Sequence, residues 1–485
     1  MKKKIDLDLD FEKIEKEFNN LKKEIEPSNS EDIEQFNKLK LFERSISFLG
    51  YITAWIIPFN IFSAFLISFS KFIRWMSISH SILHNSYNSK DIDSKEYKDK
   101  SYAKYGKRYL DWIDWIEPSL WEYEHNKKHH YHLGEKYDPE SSIKNILWIK
   151  NVNLPIFIKY IIVIMFSFIW KFTYFIPNMI KLKMNKEDDL LLSKETFSPF
   201  TKRGWELWYG SYLPYFMFTF VLKPLPFLLI SNQAYIYGLI TFIIAEMMTS
   251  FHSFLVMIPN HTGKDIYSFN TPHKSQGEFY YRQIIGTVNY NNNNKYSDII
   301  MGWFNYQIEH QLFPNLPLNQ YKRIKPRVKE FCEKNNLPYR EENLFKRFKM
   351  SLDIIIGEEK IIVWEEYIKE NNIKINSISE DRYIHTETFI LNIDDEYIKH
   401  SEYRKKTKIE REKRLLQLKE DELREKKRKL EEIEIENFQK IKNRKKKVVE
   451  EFIPQNKINK TVSEIEEKRI KEKKEADMIK RMENS

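Results

Sequence analysis

Four long apolar segments divide the chain, at residues 47–69, 155–178, 208–231 and 234–258. Each comes close to or exceeds the roughly 20 residues that an α-helix needs to cross a lipid bilayer. Aromatic residues, lysines and arginines flank them, as is typical of helices that end at a membrane surface. Such flanks argue against four buried helices of a large soluble core. The pattern therefore predicts an all-α, polytopic membrane protein with about four transmembrane helices.

The first apolar segment contains a turn signal. Residues 46–79 are short for two crossings, but Pro58-Phe59-Asn60 could split them into a tight hairpin. In that interpretation Lys71 and Arg74 mark the cytosolic end of the second arm. A single crossing is the alternative.

Polar sequence lies on both sides of the apolar region. Residues 1–45 are predicted to form a polar N-terminal segment, which begins as a short cytosolic helix without the apolar stretch of a signal peptide. Residues 46–355 hold the membrane domain and 356–400 a connecting segment. Residues 401–485 form a Lys-, Glu- and Arg-rich tail that we expect to be helical or disordered, with its final thirty-five residues disordered.

The tail shows only a weak coiled-coil pattern. Leu416, Leu423 and Leu430 recur every seven residues, but Lys419 and Lys426 occupy the intervening core positions. A solvated single helix or a disordered tail fits this pattern better than a stable coiled coil does.

Charge and cysteine content add two exclusions. The net charge of +10 results from 80 basic and 70 acidic residues, so both signs are mixed along the chain. Such mixing does not predict a nucleic-acid-binding surface. The single cysteine, Cys332, excludes an intramolecular disulfide framework.

Nine of the twelve histidines fall into four short groups. Positions i and i+4 share one face of an α-helix, so His80 with His84, and His125 with His129, can each hold one ion. Adjacent helical residues point about 100° apart, so His130 can reach a different ion from His129. The spacing predicts a polynuclear metal site. The four groups are HSILH at 80–84, HNKKHHYH at 125–132, His252 with His261, and His310 within NYQIEHQLFP.

A shared site constrains the topology. If the histidine groups lie on one face of the membrane, an even number of crossings must separate His132 from His310. Three apolar segments lie between them, and 155–178 carries Lys159 and Lys171. A lysine at mid-membrane costs about 2.5 to 3.5 kcal/mol on insertion scales. We therefore expect 155–178 to lie along the interface or to dip into the membrane and return.

The ligand types select among metals. A structural zinc site usually has four ligands that include cysteine, and no cysteine lies near these histidines. A histidine-rich site with open positions suits non-haem iron, which can bind O₂.

Three stretches carry a resemblance to a known family. They are EHNKKHHYHLGEKYDPE at 124–140, NHTG at 260–263, and GWFNYQIEHQLFPNLPLNQYKRIKPRVKEFCEKNNLPY at 302–339. In this order, with membrane segments between the second and third histidine groups, they resemble the membrane fatty acid desaturases, in particular the branch whose third histidine box reads QIEHH. The resemblance covers roughly residues 75–350.

The resemblance implies an O₂-dependent enzyme with two iron ions, four transmembrane helices and a cytosolic histidine-rich cap. It also implies the ligands. The box motifs fall on His80 and His84, on His125, His129 and His130, and on His310, with a further ligand at His261 or His252. We favour His261, which lies beyond the apolar run. His132 is interpreted as a supporting or surface residue, and His273, His385 and His400 as background.

One position departs from the family motif. QIEHH is QIEHQ here, so Gln311 stands where a ligand histidine is expected. An amide oxygen is a weaker donor to iron than imidazole is. Either Gln311 or water completes the site, or the enzyme is impaired.

The resemblance also suggests partners. The substrate would be a fatty acyl-CoA or an acyl-lipid, and the membrane would be the endoplasmic reticulum if the source is eukaryotic. His80 is the first histidine of the chain, so no cytochrome b5 domain is expected before the membrane region. We therefore expect a separate cytochrome b5 or ferredoxin as electron donor, with the basic segment 322–329 as a docking surface.

Three other functions are considered. A fatty acyl hydroxylase shares the first hydrogen abstraction with a desaturase. A catalytically impaired membrane scaffold would explain Gln311 and the long tail. A transporter with histidine proton relays would need more ionisable residues within the apolar segments than this chain has.

Overall fold

A computed structural model of the chain describes residues 8–26, 28–87, 97–98, 101–135, 138–140, 147–183, 198–201, 204–205, 208–291, 295–376, 424, 427 and 455–482. The chain divides into two compact units, Met1–Ile390 and Leu391–Ser485. His385, His400 and the heptad-spaced leucines of the tail lie outside the described residues.

The first unit is built mostly of helices, and three short parallel strand pairs join distant parts of it. The longer helices are α1 (Phe11–Lys23), α2 (Ser30–Thr53), α3 (Ile61–Leu83), α4 (118–132), α5 (Ile156–Ser167), α6 (171–183), α7 (Trp208–Leu229), α8 (Asn232–Asn260), α9 (Gln276–Ile285), α10 (Gln307–Leu312), α11 (Leu318–Lys334), α12 (Leu344–Ile356) and α13 (Trp364–Asn371). Shorter helical turns lie at Tyr105–Lys107, Arg108–Asp111, Leu147–Asn151, Lys295–Ile300 and Phe304–Tyr306. The strand pairs are β1 (Asp8–Asp10) with β6 (Lys374–Asn376), β2 (Tyr267–Ser268) with β5 (Ile362–Val363), and β3 (Asn289–Tyr290) with β4 (Glu341–Glu342).

The first apolar segment forms a hairpin of two helices, which confirms the predicted turn at Pro58-Phe59-Asn60 rather than the alternative of a single crossing. α2 ends at Thr53 and α3 begins at Ile61, and Asn60 joins them by donating to the Thr53 carbonyl (2.8 Å) and accepting from the Ser63 amide (3.0 Å). The helices approach closely at Gly50, where an added Cβ would lie 2.8 Å from the side chain of Ile67. A larger residue at Gly50 would therefore separate the two arms.

Lys71 and Arg74 lie within α3, which continues past them to Leu83 as one helix long and apolar enough to cross a membrane. Their position at a cytosolic exit stays a prediction. Each cation has a carboxylate partner: Lys71 pairs with Glu246 on α8, and Arg74 pairs with Glu43 on α2. Paired charges of this kind are tolerated where an isolated one would be costly.

The segment 155–178 is not one straight crossing. Its two arms, Ile156–Ser167 and Lys171–Met179, are bent by 80° relative to each other. Lys171 at the bend is 2% exposed and donates to Asp114 (2.7 Å), and Lys159 donates to the carbonyl of Lys150 (2.9 Å). The geometry is that of a broken span or a re-entrant segment.

The last two apolar segments form helices close to their predicted bounds. α7 and α8 are both long and apolar enough to cross a membrane, and with α3 they make three candidate spans among the described residues. The bent pair would be a fourth. Phenylalanine, isoleucine and leucine side chains on these helices are widely exposed, as a lipid-facing surface requires. The chain is therefore a helical membrane protein.

The polar ends of the first unit pack onto the histidine-bearing region. α1 buries Phe11, Ile14, Phe18 and Leu21, and the Phe18 ring lies 3.9 Å from that of Tyr280 on α9, centroid to centroid. The β1–β6 pair joins the N-terminal segment to residues beyond α13.

The expectation of disorder at the end of the chain was wrong for most of it. Gln455–Met482 form one helix of 28 residues, whose described side chains are exposed. Lysine, glutamate and alanine favour helix, and the alternation of charges needs no packed core.

The buried ion pair at the bend gives a stability prediction. Replacing Lys171 by Met leaves Asp114 buried without its cation, which should destabilise the protein by about 3 to 5 kcal/mol. The double variant Asp114→Asn/Lys171→Met should recover most of the loss. Thermal unfolding of detergent-purified protein measures both variants. Lys38→Ala, in an exposed pair with Glu34, should leave the melting temperature nearly unchanged, because solvent screens such a pair. A Lys171→Met variant as stable as the wild type would contradict the prediction.

Candidate metal centre

The first histidine pair lies at the end of α3. Residues Ile73–Ser79 form a π-helical stretch and His80–Leu83 return to α-helix. His80 and His84 are both 8% exposed, and their rings lie 4.9 Å apart between centroids. The predicted pairing of positions i and i+4 therefore holds here.

The second group lies on α4, and its local geometry differs from the α-helix that was expected. Glu122–His129 form a π-helix, which brings position i+5 rather than i+4 next to position i. Accordingly, Nε2 of His125 lies 3.2 Å from Nε2 of His130, whereas Nε2 of His129 faces Gln311 (3.0 Å). The π-turn directs the Nε2 atoms of His125 and His129 to different neighbours, although a ligand atom of each, together with one of Glu140, still lies within 4.8 Å of the others.

The third group follows a strained turn. Gly302 (φ +58°) and Trp303 (φ +65°) both adopt the left-handed conformation before Phe304–Tyr306 and α10. An added Cβ at Gly302 would lie 3.0 Å from Met76 and 3.2 Å from Phe72, so the close approach to α3 also requires glycine. The turn brings His310 against the end of α3.

The outer nitrogens of two histidines are fixed as donors. His80 Nδ1 lies 3.2 Å from the Met76 carbonyl, which can only accept a hydrogen bond. His125 Nδ1 lies 2.7 Å from the carboxylate of Glu140. Both rings therefore carry their proton on Nδ1, and each Nε2 presents a lone pair.

His310 has the same tautomer. The Tyr321 hydroxyl has one hydrogen, which it donates to the Pro314 carbonyl (3.2 Å), so its oxygen accepts from His310 Nδ1 (3.0 Å). His310 Nε2 then carries no hydrogen and presents a lone pair as well.

These lone pairs face one another. His80 Nε2 lies 3.1 Å from His125 Nε2 and 3.2 Å from His310 Nε2, with no proton available for a hydrogen bond. Two ligands each about 2.1 Å from one ion lie roughly 3.0 to 4.2 Å apart, depending on the angle between them. The separations match ligands of a shared cation, and a ligand atom of each of His80, His84, His125 and His310 lies within 4.8 Å of the others.

We call His80, His84, His125, His130 and His310 the five-histidine group. Burial, and after it the neighbouring imidazoles, lower the pKa of His84, His125, His130 and His310 well below the ordinary range. The rings are therefore neutral, the form that binds metals. His84 Nε2 is buried without a hydrogen-bond partner among the described residues, as an atom reserved for a ligand would be.

A second set of side chains lies beside the first. His129 and His261 have ring centroids 4.8 Å apart, Gln311 Nε2 lies 3.0 Å from His129 Nε2, and Gln307 Nε2 lies 3.1 Å from His261 Nε2. We call these four residues the His129 group. The Gln311 Oε1 atom is buried with no partner in the described part of the chain.

The two histidines of the His129 group differ in charge. Burial, followed by the charge on His129, lowers the pKa of His261 to about 3. Burial also opposes protonation of His129, but the carboxylates of Glu140 and Asp138 outweigh it and raise the pKa to about 9. These carboxylates stabilise a positive charge beside His129. A bound metal cation would supply that charge in place of the proton.

Three other histidines lie apart from these groups. His252 bonds to the Ile300 carbonyl (2.9 Å) and stacks on Phe72, so the structure brings His261 and not His252 to the cluster. His132 is partly exposed and bonds to Glu135 (3.0 Å), and His273 lies 3.6 Å from the same carboxylate.

Several residues of the centre were not identified from the sequence. Asp138 accepts from His129 Nδ1 (2.9 Å), and Glu140 contacts both His125 and His129. Both residues lie at the end of the motif that carries His125. Metal-bound histidines commonly donate hydrogen bonds to carboxylates, so the sequence did contain a reason to consider Asp138 and Glu140. Gln307 and Tyr321 gave no such signal, because their role depends on the turn at Gly302 and on α11.

Arg347 was also missed, and it positions the loop that carries His261. Its fully buried guanidinium donates to the carbonyls of Pro259 (3.1 and 3.2 Å) and Thr262 (3.0 Å) and pairs with Asp265. Asn260 links the same loop to the third histidine group by donating to the Phe304 carbonyl (2.7 Å).

A small cavity lined mostly by apolar side chains adjoins the centre. Glu124 and Glu140 lie at its polar end, and α5, α6 and α8 supply the apolar wall. The wall includes Phe166, Trp170, Tyr174, Phe175, Phe254 and Met257.

A buried imidazole cluster beside an apolar cavity, next to candidate spanning helices, defines a membrane protein with a candidate metal centre. The fatty acid desaturase family model matches residues 57–343, more than half of the 485 residues. The chain therefore belongs to the fatty acid desaturase family.

Individual relatives match over shorter stretches. The chain is 33% identical over 101 residues to the acyl-lipid (9-3)-desaturase of Physcomitrium patens, covering 21% of this chain and 18% of that protein. It is 35% identical over 111 residues to the Delta(6)-fatty-acid desaturase fat-3 of Caenorhabditis elegans, covering 23% and 24%. The matched stretches thus span about a fifth of each of these two relatives. No solved structure matches the chain.

The hydrogen bond that fixes the His310 tautomer can be tested. Tyr321→Phe removes the acceptor of His310 Nδ1, which should lower the affinity for a divalent transition metal about 10- to 100-fold. Competition for Co²⁺ between the purified chain and a chelator measures this affinity. Tyr97→Phe is the control, since the Tyr97 hydroxyl bonds to Asn37 away from the histidines. Equal affinities for both variants and the wild type would refute the assignment.

Proposed function

We propose that this chain is an O₂-dependent fatty acyl desaturase whose histidine centre binds two iron ions. The single observation that carries the proposal is the set of facing Nε2 lone pairs of His80, His125 and His310. The proposed ligands are His80, His84, His125, His129, His130, His261, His310 and Gln311.

The donor set supports iron. Seven imidazoles surround the centre, and the only cysteine of the chain, Cys332, is buried on α11. Imidazoles with open coordination positions suit non-haem iron rather than structural zinc. Two ions fit the division into the five-histidine group and the His129 group, because each group has its own converging polar atoms.

The cavity supports a fatty acyl substrate. An acyl chain is apolar, and Phe254, Met257 and the other wall residues offer it an apolar lining that ends at the histidine centre. The chain would be held in one orientation and shielded from water by this wall. The cavity thus selects which pair of carbon atoms lies beside the centre.

The proposed reaction removes one hydrogen from each of two adjacent carbons and leaves a double bond. O₂ is reduced to two water molecules, and two electrons and two protons come from a carrier and from solvent. Iron supplies the O₂ chemistry when bound. The protein's contribution is to hold neutral imidazoles through their Nδ1 partners and to exclude water.

The names of the relatives guide the substrate proposal. A moss relative is an acyl-lipid desaturase, and a nematode relative is a fatty acid desaturase. For this chain we propose a fatty acyl-CoA or an acyl-lipid in a membrane, with the histidine-rich region on the cytosolic side, and the endoplasmic reticulum if the source is eukaryotic.

Electrons would come from a separate cytochrome b5 or ferredoxin. The basic segment 322–329 is poorly suited to dock it, because the chain's own carboxylates balance its charge. Its five cations each lie within 4 Å of a carboxylate oxygen: Lys322 of Asp298, Arg323 of Glu31 and Asp32, Lys325 and Lys329 of Glu341, and Arg327 of Glu24.

Fatty acid analysis tests the proposal. Expression of the full chain in yeast, which supplies cytochrome b5, should yield unsaturated fatty acids that the host alone lacks, detected by gas chromatography and mass spectrometry. His129→Ala should abolish them, because it removes an imidazole of the centre. His132→Ala should retain them, since His132 lies outside the centre and bonds to Glu135.

Two outcomes would overturn the proposal. Hydroxy fatty acids without new double bonds would identify a hydroxylase. An unchanged lipid profile together with an iron-free purified protein would identify a membrane scaffold.

A further inference from the structure

The two halves of the centre have unequal ligands. The five-histidine group offers five imidazoles, whereas the His129 group offers two imidazoles and two amides. An amide oxygen is a neutral and weaker donor than imidazole. An ion in the His129 group would therefore be under-coordinated unless another side chain contributes.

Glu140 lies where such a contribution is needed. Its side chain is 6% exposed, Oε1 lies 2.7 Å from His125 Nδ1, and Oε2 lies 3.7 Å from His129 Nε2. The distance of 3.7 Å falls within the roughly 3.0 to 4.2 Å expected for two ligand atoms of one ion. A ligand atom of each of His125, His129 and Glu140 lies within 4.8 Å of the others.

The backbone near Glu140 is tied to the same histidines. The Glu140 amide donates to Asp138 Oδ1 (2.9 Å), and the same oxygen accepts from His129 Nδ1 (2.9 Å). Asp138 therefore fixes both the His129 ring and the backbone amide of Glu140. Glu140 and His129 are oriented together, as two ligands of one ion must be.

We propose that Glu140 is a ligand of the ion in the His129 group and replaces the imidazole that Gln311 does not provide. The inference rests on the proposed function, because it assumes two bound iron ions. Carboxylate oxygen together with imidazole nitrogen is an ordinary donor combination for non-haem iron. Glu140 would also bring a negative charge, which an imidazole at position 311 would not.

A second role for Glu140 must be separated from this one. Oε1 accepts from His125 Nδ1 and orients that ring, as carboxylates behind metal-bound histidines do. Glu140→Gln preserves this role, because the amide oxygen can accept the same hydrogen bond. Its NH₂ group then replaces Oε2 and cannot bind a cation.

The test is the iron content of the purified full chain, measured by mass spectrometry, with Mössbauer spectra of ⁵⁷Fe-loaded protein. The wild type should hold two irons per chain. Glu140→Gln should hold about one, and the remaining signal should be that of the five-histidine group. Glu135→Gln is the matched control: this buried carboxylate accepts from Nδ1 of His132 (3.0 Å), a histidine outside the centre, and its substitution should leave both irons.

Restoring the family residue provides a rescue. Gln311 already contacts His129, so a histidine there can replace the lost donor. Gln311→His alone should keep two irons, and Glu140→Gln/Gln311→His should regain the second. Two irons in Glu140→Gln would overturn the assignment, and so would a double variant that stays at one. A wild type without iron would instead refute the proposed function.

Discussion

The candidate metal centre is defined by neutral imidazole nitrogens that face one another at hydrogen-bonding distance without hydrogens between them. His80, His125 and His310 each use Nδ1 as a donor, to a carbonyl, a carboxylate and a hydroxyl. Their Nε2 lone pairs then meet at 3.1 to 3.2 Å. Buried lone pairs at this distance repel one another, and a shared cation turns the repulsion into coordination. The outer partners, Met76, Glu140 and Tyr321, are therefore as important to the centre as the imidazoles.

The surrounding structure brings these rings together from distant parts of the chain. The end of α3, the π-turn of α4 and the turn before α10 each contribute at least one ring to the five-histidine group. The loop after α8 carries His261 and is held by Arg347 and Asn260. Buried ion pairs such as Lys171–Asp114 allow the helices that support the centre to carry charge within apolar surroundings.

The sequence was sufficient for the class of protein and for most of the cluster, because hydropathy and histidine spacing are local signals. α7 and α8 lie close to the predicted segments, and all seven proposed ligand histidines lie in the cluster. Features that depend on contacts between distant parts of the chain could not be predicted from the sequence. The ion pairs of Lys71 with Glu246 and of Arg74 with Glu43 could not be predicted, because the partners lie far apart in sequence. The π-turn of α4 brings His125 next to His130, at position i+5. A spacing rule for α-helices predicts a neighbour at i+4 and cannot predict this contact.

We propose that imidazole nitrogens hold a pair of irons at this centre. X-ray absorption at the iron K-edge of the purified, iron-loaded chain measures the atoms around the metal. The spectrum should show a first shell dominated by nitrogen at about 2.0 to 2.2 Å, without sulfur, and a second iron among the scatterers beyond it. A first shell with sulfur, or one composed of oxygen alone, would rule out imidazole ligation.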